Sequence, residues 1–247
     1  MSVDEKLARG IGPAARIALR HAAAEDDADA ASLWCARLAG FGMVAEAEDC
    51  FRPAAEGGDL AAVKCMVWLA WEERRDGDAR SWLERAARTG DLWAMYELGR
   101  SAPGQDEAER WYRRASEAGH ALAMNDLGAL LGRTGRREEA MDWYRRAARA
   151  GVDIAMNNLA IQYVLHGNLE DAEHWFGRAA DAGNADGMAN LGRLKTEAGE
   201  VRDAEVWLTA AAGKGHPGAM ERLAALMEET GRPDAARAWR ARSAGER

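Results

Sequence analysis

The 247-residue sequence is poor in several kinds of residue, and each scarcity narrows the class of protein. It contains only 5 prolines, and no stretch is dominated by the valine and isoleucine that β-strands favour. No run approaches the roughly 20 consecutive apolar residues that a membrane-spanning helix needs. Alanine, arginine, glutamate and leucine are abundant instead, and helices accommodate all four well. The composition predicts an all-α protein without a membrane span.

Residues that carry chemistry are also scarce. The 3 cysteines (Cys35, Cys50 and Cys65) form no CxxC pair and lie among apolar residues, which is typical of reduced thiols. The 5 histidines form neither an H-E-x-x-H motif nor a Cys/His cluster, and no phosphate-binding loop is present. His120 and His216 follow glycines and are expected to cap helices or to face solvent. We therefore expect no catalytic residues, no metal and no cofactor, and a protein that is not an enzyme.

The charge of the chain bears on its partners. A formal net charge of −8 disfavours nucleic acid and anionic membranes, because an acidic protein repels both. The first residues, MSVDEKLARG, place acids before any apolar stretch and lack the apolar core of a secretory signal. These features predict a cytoplasmic location and a partner that is neither nucleic acid nor membrane.

The sequence repeats itself along most of its length. Four blocks align without gaps and start 32 residues apart, at Gly119, Gly151, Gly183 and Gly215. The copy that starts at Gly90 has 29 residues and lacks three in its internal turn. We expect residues 1–25 to form an N-terminal capping half-repeat. Full repeats are expected to start near residues 26, 58, 90, 119, 151, 183 and 215, and the last of these acts as a cap.

Each repeat contains two amphipathic stretches of about a dozen residues, which predict two helices, A and B. Glycines separate them, as left-handed C-caps require: Gly42, Gly135, Gly167, Gly199 and Gly231. An acid then marks the first turn of helix B, where the helix dipole favours negative charge: Glu46, Asp78, Glu107, Glu139, Asp171 and Asp203. Small residues recur in helix A where the two helices must approach closely: Gly99, Gly128, Ala160, Gly192 and Ala224.

One position of helix B holds tryptophan in six repeats: Trp82, Trp111, Trp143, Trp175, Trp207 and Trp239. Periodic aromatics of this kind indicate a core role rather than a ligand cage. A row of arginines follows in successive B helices: Arg85, Arg114, Arg146 and Arg178. Asp142 precedes Arg146 by one turn, which favours i, i+4 pairing on a solvated face over a nucleic-acid stripe.

The combined pattern, A-x-x-x-L-G, then G, then A-x-x-W-[YFL]-x-x-A-A-x-x-G-x-x-x-A, resembles Sel-like repeats (SLR), a branch of the tetratricopeptide superfamily. The likeness covers nearly the whole chain, although the A-to-B turn is short and closer to the plain tetratricopeptide length. It implies a single α-solenoid over residues 1–247, a right-handed superhelix of about seven two-helix repeats. It also implies a concave groove lined by A helices, and an adaptor or scaffold role in protein binding.

The first candidate site consists of large side chains in helix A that differ from the residues at the same positions of other repeats. Four aromatics and two cations could clasp a peptide or a partner helix, because buried aromatics and arginine dominate interface energetics. The alternative is an enlarged local core between neighbouring A helices. The residues concerned are Lys64, Trp68, Trp71, Trp93, Tyr96 and Arg100.

A second candidate site lies further along the chain. Asn158 and Asn190 align with the helix-A asparagine that holds a ligand's backbone in peptide-binding tetratricopeptide modules. The match is partial, because the preceding repeat has Asp126 at this position, and buried capping or groove hydration is the alternative. The residues that could join the two asparagines are Asn157, Arg193 and Arg222.

Two classes of function remain open at this point. The first is an adaptor that binds a peptide or protein surface in the A-helix groove. The second is a self-assembling structural solenoid, although Arg240, Arg242 and Ser243 give the last helix a polar, capping character that disfavours stacking. We therefore expect a monomer or weak homo-oligomer. An enzyme is a distant third, because no pocket with convergent titratable groups can be found.

Overall fold

The computed structural model describes residues 44–245, and in this range the chain forms 13 helices and no strands. The chain divides between Ala118 and Gly119 into two compact units. Unit 1 is described from residue 44 to 118, and unit 2 from 119 to 245. The half-repeat 1–25, the repeat start at 26, Cys35 and Gly42 lie outside the described residues, and the single solenoid over 1–247 stays a prediction.

Between residues 44 and 118, unit 1 contains five helices, in which B and A helices alternate along the chain. The B helices are α1, α3 and α5, and the A helices are α2 and α4. Their bounds are α1 Val44–Glu56, α2 Leu60–Glu72, α3 Asp76–Arg88, α4 Leu92–Arg100 and α5 Gln105–Glu117. Helix α4 has 9 residues, whereas α2 has 13.

Unit 2 contains eight helices, which form four A–B pairs. The A helices are α6, α8, α10 and α12, and each is followed by its B helix. The bounds are α6 Ala121–Arg133, α7 Arg137–Arg149, α8 Asp153–Leu165, α9 Leu169–Asp181, α10 Ala185–Glu197, α11 Val201–Gly213, α12 Pro217–Glu229 and α13 Pro233–Ser243. Within each unit every helix packs against the next one, so the described chain is an all-α repeat solenoid.

Polar side chains fix where most of the A helices begin. The Asp59 and Asp91 carboxylates accept the backbone N–H three residues on, at 2.8 and 2.7 Å. His120 and His216 cap α6 and α12 in the same way through Nδ1, at 3.1 and 3.0 Å, which confirms the capping role expected for them. Each cap satisfies a backbone donor that the first turn of a helix leaves without a partner.

The turns between helices depend on the left-handed backbone conformation. The glycines expected between helix A and helix B in unit 2 all have positive φ, from 74° to 82°. In unit 1 the equivalent residue is Arg74, which has a φ of 55°. A residue with a Cβ is strained in this region, so unit 1 turns here at an energetic cost that unit 2 avoids.

Close approach of helix A to helix B sets the spacing within each repeat. A Cβ on Gly192 would lie 2.7 Å from Leu208 Cγ, and one on Gly128 would lie 2.9 Å from the Tyr144 ring. Leu208 and Tyr144 are themselves buried. The small residues expected at these helix contacts are therefore required by the large side chain that faces them.

We predict that Gly192→Ala lowers the free energy of unfolding. Overpacking costs about 1–3 kcal/mol, which exceeds the gain of about 1 kcal/mol from replacing a helical glycine. Gly177→Ala in α9 is the matched control, because its Cβ meets open space and the same propensity gain should raise stability. Urea unfolding of both variants measures the difference; equal stabilisation by the two would contradict the packing account.

We also predict that Arg74→Gly stabilises the protein. Relief of left-handed strain, about 1–2 kcal/mol, outweighs the greater entropy that glycine loses on folding, about 0.5–1 kcal/mol. Arg74→Ala removes the same side chain but keeps the strain, so it should not stabilise. Thermal unfolding of the two variants tests this, and a similar gain from both would show that the backbone conformation is not the cause.

Candidate functional site

The three tryptophans of the first candidate site all lie on the A helices of unit 1. Trp68 and Trp71 belong to α2, and Trp93 belongs to the first turn of α4. Each is half-buried, so none of the three is fully buried in the core and part of each indole is exposed to solvent. This exposure is the condition that a binding role for them requires.

Lys64 ties α2 to α4 through one of these tryptophans. Its Nζ lies 5.3 Å from the centroid of the Trp93 ring. A cation over an indole face is attracted by the ring quadrupole, by about 0.5–1 kcal/mol at an exposed site. The contact orients Trp93 and combines a positive charge with an aromatic surface at one place.

Tyr96 and Arg100 are held by contacts inside their own repeat. The Tyr96 ring lies 6.0 Å from that of Tyr112 on α5, with the planes tilted by 41°. Arg100 Nη1 lies 3.2 Å from both carboxylate oxygens of Glu97, which is itself 8% exposed. Tyr96 therefore supports the α4 surface, whereas Arg100 is paired with Glu97 but its side chain remains exposed.

Trp71 lies away from Trp93, at the far end of α2. It follows Lys64 by seven residues, a rise of about 10 Å along the helix. There Trp71 lines a cleft of about 430 Å³, within the range of roughly 300–1,000 Å³ typical of ligand pockets. The other lining residues are Asp76, Gly77, Arg80, Leu83, Ser101 and Pro103.

The charges at this cleft are already paired. Arg80 Nε donates to Glu84 Oε1 at 2.9 Å, and Arg80 Nη2 donates to Glu107. The Glu107 contact raises the pKa of Arg80, and the same hydrogen bond holds the pKa of Glu107 below its usual range. Trp111 Nε1 also donates to Glu107, at 3.4 Å. The guanidinium thus forms part of the wall and is not an unpaired charge.

The asparagines of the second candidate site bond to one another. Asn158 Nδ2 donates to Asn125 Oδ1 at 3.0 Å, and Asn190 Nδ2 donates to Asn157 Oδ1 at 2.9 Å. Asn125 and Asn157 are buried, at 7% and 6% exposed. These amides connect α6 to α8 and α8 to α10. Each donating amide keeps a second N–H, the only donor left on it for a ligand.

Arg193 and Arg222 lie together on α10 and α12 of unit 2. Both line a cleft of about 140 Å³ together with Thr196, Glu197, Ala225, Leu226 and Glu229. Arg193 Nη1 donates to Glu197 Oε1 at 2.7 Å, so part of its charge is balanced. A cleft of this size is below the range typical of ligand pockets.

Sequence reasoning missed two apolar side chains in unit 2. Leu122 and Ile154 stand at the same repeat position in α6 and α8, and they are 47% and 51% exposed. An apolar residue at the start of an amphipathic helix is normally read as core, which is why they were not singled out. The sequence feature that could have identified them is the recurrence of a large apolar residue one position before the buried Ala123 and Ala155.

The interpretation of the arginine row as i, i+4 ion pairs is wrong. Asp142 accepts from Arg145 at 2.6 Å, and Arg146 lies over the Trp143 ring at 4.6 Å. Residues three apart share a helix face, so the guanidinium covers the indole. The same stack recurs, at 4.9 to 5.9 Å, in Arg85–Trp82, Arg114–Trp111, Arg178–Trp175 and Arg242–Trp239.

The tryptophan series itself has the core role expected of it in unit 2. Trp143 is buried, and Trp175, Trp207 and Trp239 are half-buried and pack against the apolar core. In unit 1, Trp82 and Trp111 are half-buried beneath their arginines. An arginine covers one face of each indole of the series except Trp207.

Between residues 44 and 245, no helix is long and apolar enough to cross a membrane. In the same part of the chain, no cluster of three or more histidine, cysteine or acidic side chains has an arrangement suited to a metal ion. Cys50 and Cys65 are free thiols.

The asparagine contacts give a testable prediction. Asn190→Ala leaves the buried Asn157 oxygen without its donor, which should cost about 1–3 kcal/mol of stability. The double variant Asn157→Leu/Asn190→Leu removes both partners and should cost less than the sum of the two single leucine variants. Denaturant unfolding of the four-member cycle measures this coupling; strict additivity would mean that the amides do not stabilise each other.

Comparisons with known proteins agree with the repeat pattern. A family model described as Sel1 repeat matches residues 76–91, 94–120, 121–152 and 153–184. Among curated proteins, none matches the sequence.

Two solved structures have a similar fold. One is a Sel1 repeat protein from Oxalobacter formigenes, with a TM-score of 0.66 and 23% identity, covering 84% of this chain and 94% of that one. The other is a protective antigen of uropathogenic Escherichia coli strains that displays an SLR fold, with a TM-score of 0.69 and 23% identity. This match covers 91% of the present chain but 55% of the antigen. The structures support the fold, and the family model shows that the four matched segments between residues 76 and 184 are Sel1 repeats.

Proposed function

We propose that this chain is a scaffold that binds a protein or peptide partner through the A helices of unit 1. The observation that carries the proposal is the partial exposure of Trp68, Trp71 and Trp93 on α2 and α4. Sel1 repeats commonly form protein-interaction scaffolds, which supports a binding role of this kind. We call Trp68, Trp71, Trp93 and Tyr96, with Lys64 and Arg100, the tryptophan surface.

The physical argument rests on what a half-exposed tryptophan offers. Packing within the unit already covers part of each indole, so the side chain is ordered before a partner arrives. Burial of the remaining apolar surface then contributes to binding with little further loss of side-chain freedom. Lys64 adds a charge at the Trp93 end of the surface, 5.3 Å from the ring centroid, which favours a partner with an acidic group there.

The proposal extends to three further features. Asn158, Asn190 and Arg193 in unit 2 form a second, smaller contact surface, with amide N–H groups that reach a peptide backbone. The role is one of binding rather than catalysis, because the acids of the chain recur as helix-start residues. The cytoplasm is the proposed compartment, in keeping with the free thiols of Cys50 and Cys65.

The test is an affinity pull-down from the source cytosol with wild type and the Trp68→Ala/Trp71→Ala/Trp93→Ala variant. We expect the variant to lose a specific partner while circular dichroism shows unchanged helical content. The matched control is Leu169→Ala/Val201→Ala/Val206→Ala, which removes three exposed apolar side chains from B helices and should keep the partner.

Two results would count against the proposal. An unchanged partner after the tryptophan substitutions would move the site elsewhere, and loss of helical content would show that these side chains act as core. Light scattering over a concentration series tests self-assembly in parallel, because mass that rises with concentration would indicate that another copy of the chain occupies the surface.

A further inference from the structure

The repeat that starts at Gly90 is shorter than its neighbours, and the expectation that its internal turn lacks the residues is wrong, because the shortening falls in helix A. Its helix α4 ends at Arg100 after 9 residues, whereas the A helices α2 and α6 have 13. The last turn of an A helix is thus missing from unit 1. The 430 Å³ cleft lies at this place, between the end of α2, the start of α3 and the segment that follows α4.

Neighbouring repeats show which side chain normally occupies this position. Counted from the first glycine of each repeat, the equivalent residue is a buried leucine in four of them: Leu69, Leu130, Leu194 and Leu226. In the short repeat it is Ser101, which is exposed and whose Oγ donates to the Glu97 carbonyl at 2.7 Å. The chain therefore supplies no leucine here, and the small residues Ser101 and Ala102 leave the space open.

The walls of the cleft favour an apolar occupant without charge. Trp71 and Pro103 provide apolar surface, and the buried Leu83 lies behind them. The Arg80 guanidinium is already bonded to Glu84 and Glu107, and Asp76 lies in the first turn of α3, where the helix dipole compensates its charge. An ionic ligand would have to compete with these pairs, whereas an aliphatic side chain would not.

We infer that this cleft binds one leucine-like aliphatic side chain of the partner, in the place where other repeats hold their own leucine. The inference rests on the proposed function and names the chemistry of the anchor. The tryptophan surface then has two parts: a cation and an indole near Trp93, and an apolar socket beside Trp71. The partner residue in the socket restores the packing that the short repeat lacks.

Gly77 allows the cleft to be filled without disturbing the core. It lines the cleft from the first turn of α3, and a Cβ placed on it meets no atom within 4 Å. Gly77→Leu should therefore put an aliphatic side chain into the socket while it removes an unfavourable helical glycine. Gly177→Leu in α9 is the matched control, because it too is a helical glycine with open space around its Cβ.

The first experiment titrates the full chain with N-acetyl-leucine amide and follows the Trp71 indole and Ser101 amide signals by NMR. Saturable shifts with a Kd on the order of 1 mM are expected for a probe of this size. They should disappear in Gly77→Leu, persist in Gly177→Leu, and be weaker with N-acetyl-alanine amide. No shift in wild type, or the same shifts in Gly77→Leu, would overturn the inference.

The second experiment measures the partner's affinity for the same variants. Gly77→Leu should weaken it by about tenfold or more, as expected for one leucine that no longer becomes buried, and Gly177→Leu should leave it unchanged. Full affinity in Gly77→Leu, with loss in the triple tryptophan variant, would overturn the socket but leave the proposed function standing. Full affinity in Gly77→Leu and also in the triple tryptophan variant would refute the proposed function. The NMR titration would then be the test of whether the cleft binds a leucine side chain.

Discussion

The close contact between helix A and helix B of one repeat is the constraint on which the rest of the structure depends. In three repeats a glycine in helix A faces a large side chain in helix B, and the fit leaves no room for an added methyl group: Gly99 against Tyr112, Gly128 against Tyr144 and Gly192 against Leu208. This contact fixes the spacing of the two helices in those repeats. Positions outside the pair are then free to vary, and the candidate sites lie among them.

Polar contacts between repeats add a second layer of order. Arg85 and Arg114, each stacked on its tryptophan, donate to the backbone carbonyls of Glu56 and Ala87 in the last turn of the preceding B helix. The Ala87 carbonyl also accepts from the Gly90 backbone N–H at 3.2 Å, so Arg114 adds a second donor to it at a helix end, where carbonyls are short of intrahelical partners. Arg85 and Arg114 thus join successive B helices of unit 1.

Much of the fold could be predicted from the sequence because each repeat has the same pattern of apolar, small and turn-forming residues. Helix positions, turn glycines and the small residues at helix contacts follow from a pattern seen several times over. The strain at Arg74 was not predicted. It is recognised only when the φ of Arg74 is compared with that of the glycines at the same position in unit 2.

The candidate sites were less predictable, since they depend on the registry between different helices. The sequence suggested Trp71 but not its cleft, because the opening comes from residues missing after α4 rather than from any residue present. The hydrogen bond between Asn157 and Asn190 joins two helices in neighbouring repeats, and no pattern within a single repeat reveals it. Arg146 was assigned to Asp142 because sequence spacing alone cannot choose between a carboxylate and an indole face.

The central claim is that a partner binds where the repeat departs from its own pattern. Hydrogen–deuterium exchange of the full chain, with and without its purified partner, tests this most directly. The account predicts slower exchange in the second half of α2 and in residues 101–104, with little change on the B helices of unit 2. Protection confined to the B helices, with residues 68–71 and 101–104 unaffected, would contradict it.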